Sequence, residues 1–527
     1  MKYKTKNAVF LSTQLYSCIL ALKLKDEFNI NPLFFHTSLE TENFIDNNFP
    51  QAITQDYYDS IKGIIPSSFN EFDKNILNLD MINKLSDSEY ISISMLDRND
   101  SFSDSFKYRD RLEFYYNMVS YWVFVLKKLK INIVFFEEEP HQMNDYVLYK
   151  ICEQLKIETV LFVRTIADLG ILPMKKFESG SEKLKIIYNE NLKKYKNGIK
   201  IGFPKKLENY FNELNSNYED IVNSHLWNQI DGYRNLIKKH KSPFVNFRFF
   251  TKKIFGFFDN NLIDRINLFR AKNFNSDQKE LKKFFRDSNM KYFNYLINKT
   301  KTILKKIENK KIYIKLSNYD LDLKKEYLFV AFQYQPEKST CPLGNRFNNQ
   351  ILMLRKIREM LPEKIKIYVK EHPSQFIFDH TRFGEINRDK EFYNKIIQIP
   401  NVELVPIDFN SFDLIDNSIA VASITGSIGW EAVNRGKNAL CFGYSWMRNC
   451  EGIHTILSDE DLIEKIDSIL SGNLKVNIDK VKIFGFSIFN LKFQAAIGGK
   501  KALDYKNISE EKNAQIHINA FKWLFNN

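Results

Sequence analysis

The stretch spanning residues 417–443 constrains the fold more than any other part of this chain. Residues 419–422 form a short unbroken apolar run, as in a strand buried on both faces of a parallel sheet. Residues 423–427, Ser-Ile-Thr-Gly-Ser, are small, polar and glycine-bearing, which predicts a sharp turn. Residues 428–435 predict a short helix, with Ser427 as its N-cap and Gly436 as its stop. Residues 438–442 predict the next strand. Strand, hydroxyl-rich turn and helix N-terminus together form an anion site, because free backbone N–H groups and the positive helix end face the turn. Ser423, Thr425 and Ser427 add hydroxyl donors, and Gly426 lets a ligand approach the backbone. Glu431, about one turn further on, is placed to reach a sugar hydroxyl. The competing reading is a tight connection whose hydroxyls only cap the helix.

Strand and helix patterns alternate around this stretch. From residue 326, strands are predicted at 327–332, 365–369 and 402–405, and helices at 347–361, 393–399 and 409–415. Phe347, Ile351, Leu354, Ile357 and Leu361 share one helical face. Repeated β-α-β units predict a parallel, doubly wound α/β sheet. The N-terminal part opens in the same way, with a strand at 8–11, a helix at 15–28 and a strand at 32–35. A polar, irregular region follows, with a strand expected at 90–95. Then come an apolar helix at 112–129, a strand at 131–136, a helix at 146–155 and a strand at 159–163. Residues 173–325 break the alternation and are mostly helical in pattern. An amphipathic helix at 510–524 closes the chain. The expected organisation is an α/β domain at 1–172, a basic and aromatic helical insertion and linker at 173–325, a second α/β domain at 326–490, and a helical tail at 491–527 packing back on the first domain.

Composition narrows the partners. A chain of 527 residues, 44% hydrophobic, has ample material for more than one core. Its formal charge of +13 favours anionic partners: nucleic acid, a membrane surface or phosphorylated small molecules. No zinc-finger spacing and no RNA-binding aromatic signature is present, so nucleic acid is not expected. The five cysteines form no C-x-x-C pair and fit free thiols in a reducing cytoplasm, with neither a disulfide framework nor a metal site. The N-terminus does not read as a signal peptide, and no run reaches the ~18 apolar residues of a spanning helix. Residues 243–258 mix bulky apolar and basic side chains as membrane-interfacial segments do, with packing between helices as the competing reading.

Two further motifs carry chemistry. Pro373 biases His372 toward an extended backbone at the end of a predicted strand. An imidazole there can meet a phosphate whose oxygens bond the 423–427 turn, while the Glu431 carboxylate bonds ribose; a packing or capping histidine is the alternative. Glu137-Glu138-Glu139-Pro140-His141 follows the strand predicted at 131–136, where open α/β sheets bind ligands. Its alternative is a solvated acidic loop.

Gln335-Pro336-Glu337, Lys370-Glu371-His372-Pro373, the 423–427 turn with Glu431, and Phe442-Gly443-Tyr444-Ser445-Trp446 occur in that order. With Glu139-Pro140-His141 and Asp145, they resemble the bacterial capsule polysaccharide synthesis proteins. The His-Pro and Ser/Thr motifs are also similar to those of bacterial sialyltransferases, Kdo transferases and CDP-glycerol glycerophosphotransferases. The resemblance implies a GT-B-like fold, two Rossmann-like domains facing a cleft with a helical insertion, and a glycosyltransferase of surface (capsule or lipopolysaccharide) polysaccharide biosynthesis. It implies a nucleotide-sugar donor, CMP-linked, held by Gln335, Glu337, Lys370, His372, Pro373, Ser423, Thr425, Gly426, Ser427 and Glu431, and a glycan or lipid-linked acceptor.

Glycosyl transfer needs a base for the acceptor hydroxyl and stabilisation of the leaving phosphate. Glu138 or Glu139 is the expected base, with His141 as the alternative, because adjacent carboxylates can raise one another's pKa. His372 is expected at the leaving phosphate. No D-x-D metal signature is present, so no metal and no cofactor is expected, the nucleotide-sugar being a substrate. The rivals are a polyol-phosphate transferase or nucleotide-sugar epimerase on the same fold, and a non-catalytic nucleotide-sugar-binding protein of a polysaccharide assembly complex. The expected location is cytoplasmic, with a peripheral contact on the anionic inner membrane.

Overall fold

A computed structural model describes residues 5–72, 77, 79–100, 107–165, 169–214, 292–376 and 387–526. The segment 243–258 lies outside the described residues.

Two six-stranded sheets form the framework. The first contains β1 (Lys6–Leu11), β2 (Ile30–Thr37), β3 (Ile53–Asp56), β4 (Ile133–Phe136), β5 (Glu158–Arg164) and β6 (Ile171–Met174). Their order is β3-β2-β1-β4-β5-β6, with only β6 antiparallel to its neighbour. The second contains β7 (Tyr327–Ala331), β8 (Lys366–Lys370), β9 (Val402–Leu404), β10 (Ala420–Ser423), β11 (Asn438–Cys441) and β12 (Ile453–Thr455). These run β12-β11-β10-β7-β8-β9, all parallel. Short unbroken apolar strands suit this arrangement, because helices cover both faces. All four residues of β4 and all four of β10 are buried.

Both sheets have the doubly wound order, read outward in each direction from the first strand of the domain. The order reverses between β1 and β4 and again between β7 and β10. Each reversal opens a crevice beyond the carboxyl ends of those strands, where ligands of such sheets bind. The protein therefore has the GT-B-like architecture of two Rossmann-like domains, with the acidic loop and the 423–427 turn at the two switch points and His372 at the end of β8, beside the second.

The structure departs from the sequence reading in several places. The strand expected at 90–95 is the end of the helix Leu79–Met95. Ile91, Ile93 and Met95 alternate like a strand, but Met81, Leu85, Ser88, Ser92 and Met95 form one buried helical face that outweighs the local pattern. The first sheet runs on to Met174, past the expected limit at 172. The helix Tyr292–Leu316, assigned to the insertion, belongs to the second core. Tyr313 is fully buried there and donates to the Val405 carbonyl at 2.5 Å. The helices Glu182–Lys196 and Lys205–Leu214 instead pack on the helix Ile478–Phe489, where Asn191 donates to Ser487 Oγ at 2.9 Å.

The tail helix Glu510–Phe525 returns to the first domain. Phe521 meets Phe28 edge-on at 5.1 Å and Phe135 at 5.8 Å, centroid to centroid. All five cysteines are buried free thiols. Among the described residues, no helix is long and apolar enough to cross a membrane.

Candidate active site

β8 and β10 flank β7, so their carboxyl ends bring His372 and the 423–427 turn to one edge of the second sheet. Gln333, just beyond β7, ties the two together. Its side-chain oxygen accepts the Thr425 N–H at 2.9 Å, and its carbonyl accepts from Arg388 at 3.3 Å. Arg388 in turn holds Glu371, the neighbour of His372.

His372 sits at the mouth with its surface open. Its Nδ1 accepts the Ser374 N–H at 3.2 Å. The protein packed around the ring lowers its pKa, Glu371 opposes this, and Lys370 and Arg388 reinforce it. A neutral ring whose Nδ1 is an acceptor carries its proton on Nε2, which leaves one N–H donor for a ligand.

The turn is more tightly built than its composition suggested. Thr425 Oγ1 donates to the Ser339 carbonyl at 2.7 Å. Ser427 does not cap the helix Ile428–Asn434 with its side chain; it donates to Glu431 Oε1 at 3.2 Å. Burial raises the pKa of Glu431, against the pull of Ser427, Arg435 and Lys370. Ser423 Oγ is buried with no hydrogen-bond partner among the described residues. A Cβ on Gly426 would lie 3.0 Å from Ser423 Oγ and 3.2 Å from Gln333 Nε2, so this glycine first lets the loop close on itself. Thr425→Val keeps the shape and removes the bond to Ser339. It is expected to cost about 0.5–1.5 kcal/mol in urea unfolding.

Two of the expected donor-binding residues serve the scaffold. Lys370 Nζ is buried and donates to the Phe409 carbonyl at 2.6 Å and to Ser411 Oγ at 2.8 Å. Burial pulls its pKa down to about 8, against Asp408 and Glu431. Gln335 is buried and accepts from Gln350 at 2.7 Å and Arg388 at 2.8 Å. Pro373 starts a short 3-10 turn, and Glu337 accepts from Thr340 and Cys341 through its carbonyl.

In the first domain, Glu137 is taken up by its own sheet. It accepts from Tyr16 at 2.7 Å, Ser12 at 3.0 Å and the Gly498 N–H of the tail at 2.9 Å. Glu138 and Glu139 reach the other domain. Lys338 Nζ lies 2.7 Å from Glu138 Oε2 and 3.0 Å from Glu139 Oε2. His141 Nδ1 lies 3.7 Å from Glu138. Arg98 bridges the domains too, donating to the carbonyls of His141 and Cys341. The acidic loop thus connects to the hydroxyl turn through Lys338, Ser339 and Thr425.

The expected raising of one glutamate by its neighbour does not occur at Glu138. Burial alone would raise its pKa, but Lys338, His141 and Arg164 outweigh it and hold the carboxylate well below its usual range. In this loop and the helix after it, Glu137 and Asp145 are raised, both chiefly through burial. Asp145 reaches about 7, despite hydrogen bonding from Gln142 N–H and the nearby His141, and its Oδ1 has no partner among the described residues. An unfolded Asp titrates near 3.9, so between about 4 and 7 the native state binds the extra proton. Asp145 therefore makes stability fall as pH rises through that window. Asp145→Asn is expected to flatten the slope of Tm between pH 4 and 8 and to gain on wild type above pH 7. A variant whose Tm tracks wild type across that range contradicts this.

Lys338 and Gln333 were not singled out from the sequence. The only signal was their closeness to Gln335-Pro336-Glu337. Among the described residues, no three His, Cys, Asp or Glu side chains are grouped to hold a metal ion.

The pattern of the family described as capsule polysaccharide biosynthesis protein matches residues 264–460, which include His372 and the 423–427 turn. No curated protein matches the chain. Among solved structures, UDP-GlcNAc 2-epimerase from Methanocaldococcus jannaschii aligns at 11% identity over 93% of this chain and 100% of its own, with a TM-score of 0.24. The Neisseria meningitidis UDP-GlcNAc 2-epimerase bound to UDP-GlcNAc aligns at 10% identity over 98% and 99%, with a TM-score of 0.21. The Thermosulfurimonas dismutans KpsC, a beta Kdo 2,7 transferase, aligns at 16% identity over 38% of this chain and 65% of its own, with a TM-score of 0.19. Likenesses at these levels imply nothing about activity.

Proposed function

We propose that this chain, which resembles the capsule polysaccharide biosynthesis proteins and carries their pattern over residues 264–460, is a glycosyltransferase of surface polysaccharide synthesis. The nucleotide of an activated sugar lies on the second sheet and the acceptor lies between the domains. His372 Nε2–H and the 423–427 turn bind the leaving phosphate, and Glu431 binds ribose. Glu138 or Glu139 takes the proton of the acceptor hydroxyl, with His141 as the alternative. No metal is needed, because the charge developing on the phosphate meets fixed donors. The donor is CMP-linked, and the protein works at the cytoplasmic face of the inner membrane.

One observation supports this reading most. Carboxylates at the first switch point and a hydroxyl turn at the second are joined by a single loop, through Lys338 and the Ser339 carbonyl. This contact supports a reading in which base and leaving-group site belong to different domains, as transfer between two bound substrates requires. A thermal-shift series with CMP, CDP, UDP, GDP and dTDP tests it. A ligand at a hundredfold excess over Kd stabilises by ~2.7 kcal/mol. CMP is expected to give the largest shift; a preference for UDP overturns the donor assignment, and no shift with any nucleotide overturns the function.

A further inference from the structure

We propose that Lys338 is a switch between the two halves of the site: in the empty protein it ties down Glu138 and Glu139, and a donor phosphate at the 423–427 turn draws it away and frees them. This deepens the glycosyltransferase reading and rests on it.

The backbone of Lys338 belongs to the second domain and is held there. Thr425 Oγ1 bonds the Ser339 carbonyl at 2.7 Å. The Tyr444 N–H bonds the Leu343 carbonyl at 2.8 Å. A Cβ on Gly344 would come within 2.4 Å of the Thr340 carbonyl, so the loop has no slack there. The side chain, in contrast, is a flexible four-carbon stem with three donors on its ammonium. It crosses to the first domain and is 15% exposed, so a ligand in the cleft can reach it. The next residue is bonded to the 423–427 turn, so the stem of Lys338 starts beside it.

The same cation therefore has two anionic claimants. Carboxylates and phosphate compete for it, and the competition is reciprocal: each weakens the other's hold on Lys338 by the same factor. While Lys338 is paired, Glu138 is a weak base. Once it turns to the phosphate, Glu138 loses its largest opposing charge and keeps its burial and its Glu137 neighbour against His141 and Arg164, and its basicity rises. The proton of the acceptor is then accepted only when a donor is in place.

Isothermal titration with CMP, CDP and UDP tests the switch on four forms: wild type, Lys338→Met, Glu138→Gln/Glu139→Gln, and the triple variant. Removing the carboxylates is expected to tighten nucleotide binding about three- to tenfold, although they lie in the other domain. Lys338→Met is expected to weaken it about tenfold. The triple variant should match Lys338→Met, with no tightening left. Should Lys338→Met fail to fold with two uncompensated carboxylates, the double and triple variants suffice, since neither buries an unpaired anion. Tightening that persists in the triple variant, or equal affinity in all forms, overturns the switch alone. Absence of nucleotide binding in every form overturns the glycosyltransferase reading, and the switch with it.

Discussion

Arg388→Met is expected to destabilise the protein by about 3–5 kcal/mol, as loss of one partner of a buried ion pair does. The guanidinium and the Glu371 carboxylate are 1% and 0% exposed. Arg388 Nη2 donates to Glu371 Oε1 at 3.2 Å, its Nε donates to the other oxygen, and its Nη1 reaches Gln335 at 2.8 Å. Its Cζ lies 4.2 Å from the centre of the Phe392 ring. Glu371 also accepts from Tyr393 OH at 3.1 Å and from the His372 N–H at 2.9 Å. Met fills much of the space but leaves a dry carboxylate without a cation. Arg388→Met/Glu371→Leu should recover much of the loss, since no charge then remains buried. Urea unfolding measures both; a loss below about 1 kcal/mol for the single variant contradicts this reading of the pair. Because Glu371 holds the backbone of His372, nucleotide affinity should fall even where the single variant remains folded.

His372→Ala is expected to cost about 1–3 kcal/mol of nucleotide affinity and about a hundredfold in turnover. The ground-state part is one hydrogen bond from Nε2–H to phosphate. The larger kinetic part follows if that donor meets charge that grows as the glycosidic bond breaks, since such a loss appears in kcat rather than KM. His372 is an exposed residue, and among the described residues its ring makes one hydrogen bond, accepting at Nδ1 from the Ser374 N–H, so the fold should tolerate its removal. Affinity and turnover unchanged in folded His372→Ala would remove His372 from the site.

Much of the fold was legible because parallel strands buried on both faces are short unbroken apolar runs, as at Ala420–Ser423, and the helices between them carry one apolar face. The 90–95 segment misled because alternation over a few residues looks the same whether a strand or the end of a longer helix produces it. The meeting of His372 and the 423–427 turn at one sheet edge was legible too, since Pro373 and Gly426 follow the ends of predicted strands of one sheet. The division of labour within it was not. Lys370 and Gln335 sit inside motifs, yet packing turns both inward to the Phe409 carbonyl and to Arg388. Lys338 has no motif of its own, and its partners are some two hundred residues away along the chain, a pairing that only the facing of the two switch points creates. The low pKa of Glu138 follows from that same long-range contact, which nearest-neighbour charge counting misses.

The most direct measurement is acceptor-dependent transfer. Purified protein would be incubated with CMP-activated Kdo or sialic acid, labelled in the sugar, with and without capsular oligosaccharide. CMP release and label in the glycan should appear together, in equal amounts and only with acceptor, and both should fall about a hundredfold in His372→Ala. Interconversion of the nucleotide sugar without acceptor, or tight nucleotide binding with no label reaching any glycan, would contradict a glycosyltransferase.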